Sequence, residues 1–361
     1  MKLLIATDAW EPQVNGVVRT LQQTAREAAG LGVTIEFITP AMFPTVAMPG
    51  YPEIRLALAT RRAVARRVDA IAPDAIHIAT EGPVGLAVRG LCIARGLPFT
   101  SSFHTRFPDY LAGRLPLPAR WTEAAAWSLL RWFHGPAAAT MAATPTLAAE
   151  LEARGFKNVK LWQRGVDATL FTPERAGDLH LELDLPRPVF LTVGRLAVEK
   201  NVEAFLALDL PGTKLVVGDG PARAGLEKRF PGAVFLGARR GEDLARIYAS
   251  ADVFVFPSRT DTFGLVLLEA LASGLPVAAF PAPAPRDVLG LARDPAAIGA
   301  LDEDLRAACL KALTLSREDC RAFALTKSWQ ASTRALLDHV TRAVKPALGL
   351  RARRRAARIA A

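Results

Sequence analysis

Short apolar runs alternate with amphipathic stretches along nearly the whole chain. In the first half the strand-like runs are KLLIATD, VTIEFIT, EIRLAL, AIHIAT, PFTSSFH, AATMAAT and VKLW. Between most of them apolar positions recur at helical spacing, near residues 16–30, 60–71, 83–95, 119–133 and 146–154. Alternation of this kind predicts an α/β domain with a mainly parallel sheet. The pattern weakens in FTPERAGDLHLELDLPRP, from Phe171 to Pro188, where three prolines and mixed charge read as a linker. A second series follows, with PVFLTVG, KLVVGD, AVFLG, DVFVFP and LPVAAF as strands and helices near 199–208, 221–230, 241–249, 264–273 and 302–313. The fold expected is therefore two doubly wound α/β domains in tandem, 1–172 and 173–327. A last helix over 328–344 and a basic tail over 345–361 complete the chain. Open parallel sheets bind ligands beyond the carboxyl ends of their strands. Chemistry is therefore expected in the loops after strands, facing a shared cleft.

Composition narrows this picture. At 361 residues, 51% hydrophobic and 22% charged, the chain has material for two globular cores. The formal net charge is +10, carried partly by Arg61-Arg62, Arg66-Arg67 and the tail. That balance suits either nucleic acid or an acidic membrane surface and anionic small molecules. Zinc-finger spacing and RNP-type or KH-type signatures are missing, which disfavours nucleic acid. The three cysteines, Cys92, Cys309 and Cys320, form no CxxC and read as free structural thiols. The apolar run of MKLLIATDAW is too short for a signal peptide, and no run reaches the ~18 apolar residues of a membrane span. Membrane contact is thus expected to be peripheral.

Several loops carry candidate chemistry. Asn15-Gly16 follows the first strand and opens the first helix, where a glycine lets backbone approach an anion. It is not a GxGxxG, which disfavours a nicotinamide site. Arg195 and Lys200, in VGRLAVEKN, put a planar fork and a mobile point charge five residues apart at a strand end, a pair suited to a diphosphate. Gly218, in the strand-to-helix turn GDGP, can admit a nucleotide closely, or is simply a turn. In SRTDTFGLVLLEAL, Thr262 is the expected N-cap, leaving the amides of Phe263, Gly264, Leu265 and Val266 free at a helix start. Asp261 lies beside that anion site and Glu269 is expected two turns into the helix. A carboxylate accepts two hydroxyl hydrogen bonds at once, which suits a sugar diol. His104 ends the strand PFTSSF and so points toward the expected cleft, while His77, His134, His180 and His339 lack acids or cysteines at metal-ligand spacing. The helix PARWTEAAAWSLLRWFHG combines Trp121, Trp127, Trp132 and Phe133 with Arg120 and Arg131; it is either a core helix or a membrane-interface helix. The tail RARRRAARIAA is the stronger membrane candidate from sequence.

Taken together, PQVNGVVRT, SFHTRFPDY, WQRGVD, VGRLAVEKN, VGDGP, YASADVFVFPSRTDTFGLVLLEALASGLPVA and SWQASTRALL resemble the retaining glycosyltransferases of family 4, over nearly the whole chain. The resemblance implies the GT-B fold, two Rossmann-like domains facing a central cleft, with the helix from about Ser328 crossing back onto the first domain. It also implies transfer of a hexose or hexuronate from a nucleotide sugar, with no cofactor and no metal. The family's E-x7-E element falls on Asp261 and Glu269, the first acid being Asp. By resemblance Asp261 and the amides of Phe263–Val266 hold the sugar and phosphate. Glu269 takes the ribose, Arg195 and Lys200 the diphosphate, and Gly16 approaches that diphosphate. His104 resembles the family histidine near the reacting sugar. Arg195, Lys200, Asp261 and His104 are then the catalytic set, and Gly218 joins the donor-binding residues.

TDTFG, PQVNG and SFHTRFPDY look nearest to bacterial diacylglycerol glycosyltransferases and sulfolipid-synthase-like members. That implies a lipid acceptor, an anionic membrane surface as partner, no nucleic acid, and a peripheral place on the cytoplasmic side of the inner membrane. The alternatives are a GDP-mannose-dependent mannosyltransferase with a saccharide acceptor, a GT-B-fold sugar-nucleotide epimerase, and a basic RNA-binding protein without catalysis.

Overall fold

The computed structural model describes residues 1–13, 15–48, 51–104, 119–177, 182 and 185–359; the side chains of 51–54, 119–120 and 345–359 are outside the description. The chain forms two compact units, Met1–Gln163 with Gln330–Ala361, and Arg164–Trp329.

The first unit runs β1 (Lys2–Ala6), α1 (Gly16–Gly30), β2 (Thr34–Ile38), β3 (Thr45–Met48), β4 (Tyr51–Ala57), α2 (Arg61–Ile71), β5 (Ala75–Ile78), α3 (Pro83–Arg95), β6 (Thr100–Ser102), α4 (Ala119–His134), β7 (Ala139–Ala142), α5 (Pro145–Ala153) and β8 (Val159–Leu161). Its sheet has the parallel order β2-β1-β5-β6-β7-β8. Successive side chains along a strand face opposite ways. Leu4 and Ala6 therefore join a core with Val64 and Val68 of α2, Val84 and Val88 of α3, and Phe133 of α4. Leu3 and Ile5 join the opposite core with Leu21 of α1. EIRLAL, expected among the sheet strands, is instead part of β4, which pairs antiparallel with β3 in a separate hairpin. Strands so close in sequence pair with each other before they can reach a parallel sheet, which needs a crossover.

The second unit contains β9 (Val189–Val193), α6 (Val202–Leu206), β10 (Thr213–Val217), α7 (Arg223–Arg229), β11 (Val234–Phe235), α8 (Gly241–Ser250), β12 (Val253–Phe256), α9 (Leu265–Ala272), β13 (Val277–Ala279), α10 (Pro283–Leu289), β14 (Gly299–Leu301), α11 (Leu305–Ala312) and α12 (Arg317–Leu325). Its parallel order is β11-β10-β9-β12-β13-β14. The expectation of two doubly wound domains is met. Sequence reading missed β14, a three-residue Gly-Ala-Leu strand, and α10, whose PAPRDVL starts on proline as a first helical turn allows. It also missed α12.

The sequence put the change of domain at 172/173; the units divide at Gln163/Arg164. Residues 164–172 are held in the second unit by Val166 N–H donating to Lys327 O (2.9 Å) and by Arg321. The Arg321 guanidinium donates to Ala168 O (2.9 Å), Phe171 O (2.8 Å) and Ala272 O (2.8 Å).

The last helix, α13 (Trp329–Ile359), packs Leu336, Leu337, Val340 and Val344 on Leu3, Ile5, Leu21 and Trp162 of the first unit. Trp162 Nε1 donates to Ser332 O (3.2 Å), and Ser332 Oγ donates to Gln163 O (2.7 Å). The backbone stays helical through much of the segment read as a tail. All three cysteines are buried, and burial pushes each thiol up to about 12, so they pack as small apolar groups.

Candidate active site

In the second unit the chain leaves β9 toward β10 on one side, and β12 lies on the other. Strand order reverses there, which opens a crevice beyond the carboxyl ends of β9 and β12. The loop after β9 carries Arg195 and Lys200, and the loop after β12 carries Ser258 and Asp261. The expected cation pair and the first of the two expected acids thus follow adjacent strands, while Ser258 was not among the sequence candidates. Two hydrogen bonds tie the loops: Asn201 Nδ2 donates to Pro257 O (3.1 Å), and Thr260 Oγ1 donates to Glu199 O (3.3 Å). Asn201 adopts φ 52° to turn the chain from the Lys200 turn into α6.

Lys200 Nζ pairs with Asp261 Oδ1, and both side chains are mostly covered (27% and 17% exposed). The other carboxylate oxygen, Asp261 Oδ2, is buried with no hydrogen-bond partner, as is Ser258 Oγ a few residues upstream. Buried polar atoms are normally satisfied, and an orphan pair in one loop marks a place where a polar ligand can complete the bonding. Next to them α9 begins. Its N-cap is Gly264 at φ 78°, a left-handed conformation that glycine adopts freely, and not Thr262 as expected. The helix therefore starts at Leu265; Phe263 and Gly264 belong to the approach, and no side chain caps the amides of Leu265 and Val266. Uncapped amides and the positive end of the helix favour an anion.

Glu269 lies just over one turn into α9, not two. It is buried, and Tyr248 of α8 donates its hydroxyl to Glu269 Oε2 (3.2 Å). Tyr248, itself fully buried, is a site residue that sequence reading did not find, because nothing in YASADVFVF singles it out from a core aromatic.

Gly218, after β10, contacts the β9 loop. Its N–H donates to Gly237 O (2.9 Å), and a Cβ built on it would stand 1.8 Å from Gly194 O, one residue before Arg195. Its φ of 146° adds strain for any other residue. Gly218→Ala is therefore expected to displace the Arg195 loop and cost at least about 1–3 kcal/mol of stability. Thermal denaturation checks this, and an unchanged Tm would remove the close-approach role.

In the first unit, Asn15 caps α1, its Oδ1 accepting from Val17 N and Val18 N (both 3.0 Å). The side chain thereby takes two of the amides that the Gly16 turn was expected to offer an anion. Asp8, missed from sequence, lies two residues past β1 and accepts from Thr80 Oγ1 (3.0 Å) and from Val84 N (2.8 Å) and Gly85 N (3.1 Å) at the start of α3. Burial raises its pKa above the ordinary carboxylate range in spite of these donors. His104, after β6, is buried against the edge of Trp162, ring centroids 5.9 Å apart. The rest of its motif, residues 105–110, lies outside the described residues. His134 was set aside for lacking a partner in sequence, yet it meets the buried Ser101 (2.8 Å) and the partly buried Glu81 (3.2 Å). Among the described residues no three His, Cys, Asp or Glu side chains cluster as a metal site.

Residues 14–170 match the family model "Glycosyltransferase Family 4", and residues 187–314 match "Glycosyl transferases group 1". A GDP-mannose-dependent alpha-mannosyltransferase of Mycobacterium tuberculosis is 35% identical over 321 residues, 80% of this chain and 81% of that one. An alpha-monoglucosyldiacylglycerol synthase of Acholeplasma laidlawii is 26% identical, over 77% of this chain and 79% of that one. Among solved structures, a sucrose-phosphate synthase from Thermosynechococcus elongatus superposes with a TM-score of 0.74 at 20% identity, covering 93% of this chain and 97% of that one. The last likeness identifies the pair of parallel-sheet domains as the GT-B fold.

Proposed function

The chain belongs to glycosyltransferase family 4, and from that premise we propose that it moves a hexose from a nucleotide-diphosphate sugar to a membrane lipid. The observation that carries the donor half is the Lys200–Asp261 pair, with Asp261 Oδ2 and Ser258 Oγ unpartnered beside the open start of α9. In this reading a sugar hydroxyl completes Asp261 and the diphosphate takes the amides of Leu265 and Val266. Arg195 and Lys200 neutralise the diphosphate as it leaves, and Glu269 accepts from the ribose hydroxyls.

The bond from the anomeric carbon to the β-phosphate oxygen breaks while the acceptor oxygen bonds that carbon. The acceptor's proton leaves with the diphosphate, and the anomeric configuration is retained. Positive side chains aimed at the departing charge are worth most where water is excluded. No metal is assigned a part.

Mannose from GDP-mannose is the first donor to try, because the M. tuberculosis relative is named for it. The lipid acceptor is supported by the A. laidlawii relative, named for a diacylglycerol product, and by the surplus of +10 in formal charge. No described helix is long and apolar enough to cross a membrane. With a lipid acceptor, the reading places the chain peripherally, on the cytoplasmic face of the inner membrane.

The test is turnover of labelled GDP-mannose, UDP-glucose and UDP-glucuronate by the purified protein, with extracted bacterial lipids or soluble saccharides as acceptors. A labelled glycolipid formed equally well in EDTA is expected. Label passing only to water-soluble saccharides removes the lipid acceptor. An epimerised donor formed without acceptor removes transfer as the reaction.

A further inference from the structure

Helices α2, α3 and α4 form one layer on the first unit's sheet, and their outward surface is unlike that of an ordinary soluble domain. The layer is continuous. The Arg61 guanidinium lies over Gly90 of α3, 3.4 Å from where a Cβ would stand. Arg89 of α3 donates to Phe133 O (2.8 Å) and Trp132 O (2.6 Å) of α4, its guanidinium 3.9 Å from the Trp132 ring centroid.

On α4 the inward side chains Trp127, Leu130 and Phe133 are buried. Trp121, Leu129 and Trp132 point out and are 66%, 61% and 54% exposed. At 100° per residue these three fall within about 80° of one another, a single stripe. Leu86 and Ile93, seven apart on α3, add a second exposed apolar stripe beside it. Along the far edge stand the exposed Arg61, Arg62 and Arg66 of α2.

The charge on this layer is one-sided. The three helices carry eight arginines, four on α2 and two each on α3 and α4, against two acids, Asp69 and Glu123. Both acids are already taken, Asp69 by Arg95 (2.5 Å) and Glu123 by Arg154 (3.5 Å). The layer therefore holds a formal +6 of the chain's +10, with Arg89 among its arginines buried beneath the face.

From this surface we infer that the outer face of α2, α3 and α4 is the docking surface for an anionic lipid bilayer. Tryptophan and leucine on one stripe enter the boundary between headgroups and acyl chains, and the flanking arginines meet lipid phosphates. Each cation near an anionic surface adds attraction that salt weakens. Binding of this kind needs no groove and no matching partner shape, which suits a face built from outward side chains of three helices. The inference deepens the lipid-acceptor reading, on which it rests for its purpose, and moves the membrane contact from the C-terminal basic segment to the helix layer.

The experiment is flotation of the full-length protein with phosphatidylcholine vesicles, with and without phosphatidylglycerol, at low and high salt. Binding only to the anionic vesicles, lost at high salt, is expected. Arg62→Gln with Arg66→Gln should weaken it about 30-fold, from ~1 kcal/mol per arginine. Trp121→Ser with Leu129→Ser should weaken vesicle binding and reduce the blue shift of tryptophan fluorescence, Trp132 alone remaining on the stripe to report it. These side chains are exposed, so both variants should keep the parent's melting temperature and its turnover of detergent-solubilised acceptor. Undiminished binding by both variants overturns the proposal and gives the contact to another segment. Failure of the parent to bind anionic vesicles also overturns it, and glycolipid synthesis in detergent would then show that the lipid-acceptor reading survives alone. Variant-sensitive binding without any transfer to lipid would uphold the face and remove that reading.

Discussion

Lys200→Ala is expected to lower kcat/KM for the nucleotide sugar by about 10²–10³-fold, the size of effect seen when one preorganised group facing developing charge is removed. The physical reason is that Lys200 is held by Asp261 at the reversal of strand order, so its charge is in place before the donor arrives. The same pairing makes a counter-prediction about stability. The pair is partly covered, not sealed, so its loss should cost only about 1 kcal/mol and leave the fold intact. Steady-state kinetics and a thermal melt on one preparation separate the two. A variant with near-parental kcat/KM would sink the assignment of Lys200, whatever the donor proves to be. Asp261→Asn is the companion: it keeps the size of the side chain and its capacity to accept one hydroxyl, but it loosens Lys200. It should lower activity less than Asp261→Ala does.

Glu269→Leu should weaken donor nucleotide binding by about 10–150-fold, because hydrogen bonds to a charged acceptor are worth ~1.5–3 kcal/mol. Its effect on stability should run the other way. A carboxylate buried in LVLLEALA is costly to desolvate even with Tyr248 donating to it, and leucine fills similar volume in that helix. An unchanged or raised melting temperature is therefore expected, together with weaker binding. A purely structural glutamate gives the opposite pair of results: lower stability and normal affinity. Titration with the nucleoside diphosphate and its 2′,3′-dideoxy form assigns the contact. In the parent the missing hydroxyls should cost affinity; in Glu269→Leu they should cost almost nothing. A ribose-hydroxyl penalty equal in both proteins would move Glu269 away from the ribose. Tyr248→Phe, which removes one donor to Glu269, should shift affinity by less than the leucine variant.

Much of this was legible because it is local. The period of apolar positions located both parallel sheets, since a strand buried on both faces must be apolar throughout and a crossover helix must bury one stripe. Strand ends likewise locate the loops that carry Arg195, Lys200, Asp261 and His104. What failed was also local in origin. Thr262 has the chemistry of an N-cap, but the chain spends Gly264 on a left-handed turn and starts α9 later. Gly-Ala-Leu in β14 is too short for periodicity to register, and becomes a strand only because β13 is beside it. The domain boundary was drawn at prolines, while Arg321, a hundred and fifty residues away from Phe171, binds the connection to the second unit.

The sequence by itself determined the fold class, the family resemblance and the identities of the cations and acids, because each depends on residue type and short-range spacing. Tertiary structure alone decided which of them meet. It paired Lys200 with Asp261 across 61 residues and set Tyr248 against Glu269. It gave Asp8 to the start of α3, and it turned one tryptophan-rich helix so that Trp127 is core while Trp121 and Trp132 face outward. Periodicity shows that a helix has a stripe; only the sheet it packs on decides which residues that stripe buries, and so which are left to meet a ligand or a membrane.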